Sequence, residues 1–336
     1  MLMLLNNYPE DLRLMENSKR FVHYIILLCL LLLVIVTVAM ISGPAGMVFC
    51  IDDITQNIIL FQVRMPRIFL SIIVGFALGC GGVVFQSLLQ NPLAEPYVLG
   101  TSAGAAAMAA LGMVLGVSAG FFILWFGFAG ALISILFVLG VARIGGRYPL
   151  YRLIVSGIIV HSFFSAILML LITGFSSKTS GVMLWLMGNL ANKPLSLVLV
   201  LGAIVLICFV IIQVKWKELN LLALGDDHAL ASGVNVVGNK IVFLTLTTIM
   251  TGGVVAVSGV IGFVGIIVPH IIRLLVGANH KYLLLSASLG GALFLLVADT
   301  IIRLFFDGID LPVGVITALA GAPFFIYLLF RQGKKL

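Results

Sequence analysis

Charge is what this sequence has least of. Charged residues make up 9% of its 336 positions, against 62% hydrophobic ones. A water-soluble domain carries roughly a quarter charged residues. No soluble core hides this much apolar side chain, because surface area shrinks too slowly with size. The natural solvent is lipid. The four cysteines, at 29, 50, 80 and 208, form no C-x-x-C pair, so neither zinc nor redox chemistry is suggested. Cys29, Cys80 and Cys208 sit in apolar runs and read as small buried hydrophobes. There is no G-x-x-x-x-G-K-[ST] loop to cradle a nucleotide and no H-E-x-x-H. The histidines (His23, His161, His228, His270, His280) are scattered without ligand spacing. No nucleophile–base set falls inside an apolar run, which counts against an intramembrane enzyme. Acids are scarce there too. Asp299 alone lies near the interior of such a run, four residues before Arg303, and an i,i+4 ion pair accounts for it. Ion-coupled carriers are marked by ionisable groups deep in their spans. A stand-alone secondary transporter is therefore the weaker reading, and energy for any transport has to come from another subunit.

What is present is long apolar runs and glycine. A helical span needs about 20 apolar residues. Candidate spans fall at roughly 21–42, 68–88, 96–113, 120–140, 153–174, 195–214, 240–260, 263–276, 282–302 and 312–330. We expect an all-α, polytopic membrane protein of about ten spans, a single domain over 1–336. Unbroken apolar runs exclude a transmembrane barrel, whose strands alternate. The eighth span is short and carries Pro269 and His270, so it reads as broken or only partly crossing. The 36 glycines suit close helix approach and tight turns.

The net charge is +7, and the positive residues sit in short connections. Membrane topology explains them better than nucleic-acid binding. With ten spans, Lys19–Arg20, Arg143–Arg152, Lys215–Lys240, Arg273–Lys281 and the RQGKK tail share one side with both termini. The lysine–arginine bias makes that side cytoplasmic. Arg64, Arg67, Lys178, Lys193 and Arg303 fall opposite. The longest polar insertion on the first side runs from Lys215 to Lys240. Gly225 followed by Asp226 and Asp227 reads as a turn and a helix start, and Gly233 as its stop. That element is either a loop helix closing a connection or a docking surface for a cytoplasmic partner. Arg64 and Arg67, in QVRMPR, are either headgroup contacts or cationic posts for an outside partner, with Arg303 a third post. His270 reads as a capping residue before a proton relay. The connection QNPLAEP breaks the apolar pattern at Gln90–Pro96; Asn91 can bond nearby backbone, and Pro92 and Pro96 fix the chain. Gly100 and Gly104, four apart, offer a flat packing face.

Seven stretches carry a resemblance. They are Val63–Ala105 (VRMPRIFLSIIVGFALGCGGVVFQSLLQNPLAEPYVLGTSAGA), LIVSG with FFSA (Leu153–Ala166), WLMGNL (Trp185–Leu190), LNLLALGDDHALASGVNV (Leu219–Val236), IGFVGIIVPHIIRLLVG (Ile261–Gly277), LFLLVADTIIR (Leu293–Arg303) and LPVGVITALAGAPFFIYLL (Leu311–Leu329). In this order they resemble the FecCD-type permease subunits of ABC importers for iron-siderophore, haem and cobalamin complexes. The resemblance implies the type II importer permease fold, the one shared with cobalamin-importer permeases. It implies a paired permease, a homodimer by preference, with two cytoplasmic ATP-binding subunits and an extracytoplasmic substrate-binding protein. No cofactor is expected on this chain; ATP and Mg belong to the partner. It implies a cell (inner) membrane location in a bacterium or archaeon. The cargo expected first is a ferric siderophore, then haem, then cobalamin. The resemblance assigns ATPase coupling to 219–236, with Leu224, Gly225, Asp226, Asp227, Ala229 and Gly233, and binding-protein docking to Arg64, Arg67 and Arg303. Gln86, Asn91, Pro92, Glu95, Pro96, Gly100, Gly104, Gly262, Gly265, Pro269, His270, Arg273, Pro312, Gly314, Gly321 and Pro323 are expected as scaffold or pathway motif, scaffold before cargo contact. Two departures stand out: Val260 where the family often has proline, and Ser232 where it often has leucine.

Overall fold

The computed structural model describes residues 10–43, 57–95, 97, 99–117, 121–144, 147–175, 186–306 and 311–333. Helix dominates them, since lipid offers no partner to an open backbone. The helices are α1 (Glu10–Ile41), α2 (Met65–Leu88), α3 (Thr101–Val114), α4 (Phe121–Ala142), α5 (Leu150–Gly174), α6 (Leu195–Val214), α7 (Trp216–Ala223), α8 (Asp226–Ala231), α9 (Val236–Ser258), α10 (Val264–Val276), α11 (His280–Phe305) and α12 (Val313–Gly333). Each expected span overlaps a helix, but seven helical stretches among the described residues, not ten, are long and apolar enough to cross a membrane. Three more apolar helices, Thr101–Val114, Val264–Val276 and Val313–Phe324, are shorter. The protein is thus an all-α polytopic membrane protein. Ile, Leu, Val and Phe on α1, α4, α5 and α6 are exposed on the single chain, an apolar surface suited to lipid or to another membrane helix.

Two departures from the expected spans have local causes. The second runs back through a π-helical turn, Ile59–Arg64, that enters α2 without a break. Pro66 has no N–H to give the preceding turn, and the wider i→i+5 pattern, closed by the Met65 N–H on the Leu60 carbonyl, absorbs the mismatch. The third helix starts at Thr101 rather than near residue 96, because Gly100 holds a left-handed φ of 74° that helix does not continue through. Pro96 lies outside the described residues, as does Trp185.

The centre of the fold is the antiparallel pair α2 and α11. A Cβ built on Gly75 would lie 2.2 Å from the Gly291 carbonyl oxygen, and one on Gly79 2.2 Å from that of Ala287. The two backbones touch, as small residues allow. A second glycine contact, Gly104 against Gly130, joins α3 to α4. Gly100 packs instead on α5, its missing Cβ lying 2.7 Å from the His161 nitrogen, so the two glycines serve two different neighbours. α9 crosses α4, with Ala256 over Gly127 and Ala131 over Gly252.

Candidate functional site

The polar residues gather at the two ends of the α2–α11 pair and at one break between them. At one end lie α7 and α8. α7 buries Leu219 and Leu222, three apart on one face, and α8 buries Ala229. Gly225, between them, has φ 117° and ψ 158°, a conformation open to glycine only. Gly233 takes φ 77° after α8. The turn and stop read from the sequence are where they were expected. The opposite face presents Leu224 and Leu230, 67% and 46% exposed, beside exposed Asp227 and His228. Two exposed leucines thus stand on a polar, half-exposed element. Asp226 turns inward. Its carboxylate pairs at 2.6 Å with Lys240 Nζ, whose side chain is 3% exposed. Lys240, which the sequence reading counted only as a positive charge, is the residue that seats α8.

At the far end, Asp299 is fully buried between two arginines. Its Oδ1 accepts from Arg67 Nε at 2.8 Å and its Oδ2 from Arg303 Nε at 3.1 Å. The Asp299–Arg303 pair is the one read from the i,i+4 spacing; Arg67 is a second partner. Arg303 also donates to the Ala39 carbonyl (2.9 Å), and Arg64 to those of Met40 (2.7 Å) and Ile41 (2.8 Å). These are the last carbonyls of α1, which a helix end leaves without internal partners. Arg64 and Arg303 are 4% and 5% exposed; Arg67 is the most accessible of the three. The structure brings the three arginines together, around one carboxylate and the end of α1.

Between the ends, two non-helical stretches meet. The Phe263 N–H, at the start of α10, donates to Glu95 Oε1 at 2.6 Å, and Tyr97 donates to the Ile261 carbonyl at 3.2 Å. Asn91 closes its own turn, accepting from the Leu93 N–H at 2.9 Å. Pro92 is exposed beside it. Gly262 lies within van der Waals reach of Glu95. Pro269 sits inside α10 and cannot donate to the carbonyl four residues back, that of Gly265. Gln86 Nε2 donates to that oxygen instead, at 3.2 Å, while its Oε1 accepts from Arg273 at 2.9 Å. Four residues singled out separately in the sequence thus form one repair of a proline break. His270 packs its ring edge-on to Phe324, centroids 6.0 Å apart. On α12, Gly321 makes room for the Phe263 ring, and Gly314 for the Met187 carbonyl. Pro312 caps the helix start, accepting from the Val315 N–H. Gly314 and Pro323 line an apolar cavity of about 640 Å³ with Gly262 and Phe263.

Glu95→Gln keeps an oxygen that can accept from the Phe263 N–H, whereas Glu95→Ala takes the acceptor away from that part-buried donor. Glu95→Ala is expected to melt below Glu95→Gln in detergent, by about 1–3 kcal/mol of stability; equal melting temperatures count against this bond.

Comparison with known proteins comes to the same place. Residues 24–331 match the FecCD transport family. The hemin transport system permease protein HmuU of Yersinia pestis is 38% identical over 280 residues, covering 82% of this chain and 84% of HmuU. The cobalamin import system permease protein BtuC of Halobacterium salinarum is 38% identical over 290 residues, covering 82% and 74%. Among solved structures, a chain described as a metal-chelate type ABC transporter in an inward-facing conformation superposes with a TM-score of 0.81. It shares 32% identity and covers 90% of this chain and 97% of its own.

Proposed function

The chain belongs to the FecCD transport family, and on that premise we propose that it is the permease that carries a ferric siderophore or related metal chelate into the cytoplasm. As a permease subunit of an ABC importer it performs no bond chemistry; hydrolysis of ATP belongs to a partner subunit. Two copies of this chain pair, two ATPases dock on the α7–α8 face, and a substrate-binding protein delivers cargo at the arginine end. The α7–α8 end, with both termini, then lies in the cytoplasm. The observation that supports this reading is the match, over 90% of this chain, to a structure described as a metal-chelate type ABC transporter. Haem and cobalamin are the alternative cargoes, since permeases named for each are equally identical to this chain. Asp299, the acid singled out for the ion-coupled alternative, is neutralised by two arginines.

Docking at the arginine end rests on charge. Arg67 and Arg303 pair with one carboxylate there and Arg64 holds the end of α1 beside them, so the cluster keeps a net positive charge, with Arg67 its most accessible member toward an acidic partner. Arg67→Glu is expected to weaken binding-protein affinity, with a larger loss at low salt, where screening is least. Equal affinity for wild type and variant at both salt levels removes the docking role.

The central test is reconstitution. The chain is co-purified with a candidate Walker-motif ATPase from the same genome and placed in vesicles with the candidate binding protein. ATP-dependent uptake of labelled ferric siderophore, haemin and cobalamin is then measured. Uptake of ferric siderophore above the other two is expected. Uptake of haemin or cobalamin alone moves the cargo assignment. Full-rate uptake without any ATPase overturns the function.

A further inference from the structure

α7 and α8 are consecutive, yet they are fastened to different parts of the bundle. α7 packs on α2 and α11, whereas α8 packs on α9. The fastenings are polar. Asn220 of α7 accepts at Oδ1 from the His280 N–H (2.9 Å) and meets His280 Nδ1 at 2.6 Å. Its Nδ2 donates to Asn279 at 3.1 Å. The other ring nitrogen of His280 lies 2.5 Å from Ser87 Oγ, near the end of α2. His280 and Ser87 are 4% and 5% exposed. One histidine thus joins α7 to the start of α11 and the end of α2.

α8 has its own fastening. Asp226 holds Lys240 of α9, and the same ammonium donates at 3.0 Å to the Tyr148 carbonyl in the α4–α5 connection. Lys215, about a third exposed, adds a tie from the start of α7 to Asn239, at 3.0 Å. His280 and Lys240 are the most deeply buried members of these ties, while the Asp226 side chain is 40% exposed.

An open groove runs beside each fastening. One of about 600 Å³ is lined by Gln86, Ser87, Asn220, Arg273 and His280 among others. One of about 340 Å³ is lined by Gln90, Gly225, Asp226 and Lys240. Gly225, the joint between the two helices, is in a conformation that only glycine adopts freely. Two short helices, a glycine joint, separate tethers and an open groove beside each make a pivoted pair.

We propose that Asn220–His280–Ser87 and Asp226–Lys240 are two separate transmission anchors. A push on the exposed Leu224–Leu230 face is delivered to α2 and α11 through His280, and to α9 and the α4–α5 connection through Lys240. The push thereby shears these two groups of helices against each other. This rests on the reading of α7–α8 as the ATPase contact. Asn220, His280 and Lys240 are then positioning residues for transport that need not touch ATPase or cargo.

The test uses the full complex with ATPase and binding protein, at a temperature well below the melting point of each variant. Lys240→Met and Asn220→Ala are compared with wild type for ATPase retention on co-purification, hydrolysis rate and cargo moved per ATP. ATPase retention is expected to hold, while cargo per ATP falls roughly two- to thirtyfold, the range over which residues on a coupling route act. Lys240→Arg, which keeps the charge and the donor, should recover most of it. Unchanged cargo per ATP in both variants overturns the proposal. So does an equal loss in Lys240→Arg, or a loss that tracks melting temperature alone. Failure of the wild-type chain to retain any ATPase overturns the functional reading instead. Should Lys240→Met not assemble, Asn220→Ala carries the test alone.

Discussion

Asp299→Ala is expected to destabilise the protein by about 3–5 kcal/mol, the cost of leaving one side of a buried ion pair without its partner. Asp299 has no exposed surface and serves Arg67 and Arg303 at once. Without it, Arg303 stays buried with its like-charged neighbours Arg67 and Arg64 uncompensated. Moving Arg303 out to solvent breaks its bond to the Ala39 carbonyl. The damage therefore reaches α1. Most of that helix faces outward, and Ala39 is its one fully buried hydrophobic residue among those described. Its end is fastened chiefly through Arg64 and Arg303. Asp299→Asn keeps an acceptor but no charge and should fall between alanine and wild type. Asp227→Ala, on an exposed position, should shift stability by no more than about 0.5 kcal/mol. Melting in detergent, followed by size-exclusion chromatography, reads all three. An Asp299→Ala protein that melts with wild type sinks the account of this cluster.

Which parts of this could be read from the sequence follows from how local each interaction is. The spans were legible because a helix in lipid must carry a long apolar run, and the α7–α8 turn because Gly225 and Gly233 punctuate it. The Asp299–Arg303 pair was legible from spacing of one helical turn. Arg67 was not, since it lies 232 residues from Asp299 along the chain. Ser87, Asn220 and His280 are polar residues of ordinary kinds, far apart in sequence, and nothing marks them until three helices converge. Gln86, Gly265, Pro269 and Arg273 were noticed singly. Their link is a single carbonyl that Pro269 leaves without a donor, and finding the Gln86 amide that fills it needs coordinates. The start of α3 was misplaced for a backbone reason: the apolar pattern runs through Gly100, but its positive φ does not. Charge alone separates the ends of the bundle, and the structure does collect Arg64, Arg67 and Arg303 at one end and Lys240 beside α8 at the other.

Gly291→Val is expected to be at least as damaging as loss of Asp299, by a different route. A Cβ on Gly291 would lie 2.1 Å from the Gly75 carbonyl oxygen, and the reciprocal Cβ on Gly75 would lie 2.2 Å from that of Gly291. Both obstacles are backbone, so no side chain can rotate away. Overpacking that side chains absorb costs about 1–3 kcal/mol; here α2 and α11 themselves must part, and the cost should reach about 3 kcal/mol or more. No hydrophobic effect pulls the two helices back together, because lipid tails are as apolar as the seam they would fill. Separation also strains the ties at both ends of the seam, Arg67–Asp299 at one and Ser87–His280 at the other. The double variant Gly291→Val/Asp299→Ala should therefore lose less than the sum of the two single losses, as coupled sites do. Gly140→Ala is the contrasting case. Nothing lies within 4 Å of a Cβ there. In the last turn of α4, the change should stabilise by about 0.5 kcal/mol through the lower freedom of the unfolded chain. Melting temperatures of the four proteins against wild type decide the matter. A Gly291→Val protein as stable as Gly140→Ala would mean that the α2 and α11 backbones do not touch, and additive losses would mean that the seam and the arginine cluster are independent.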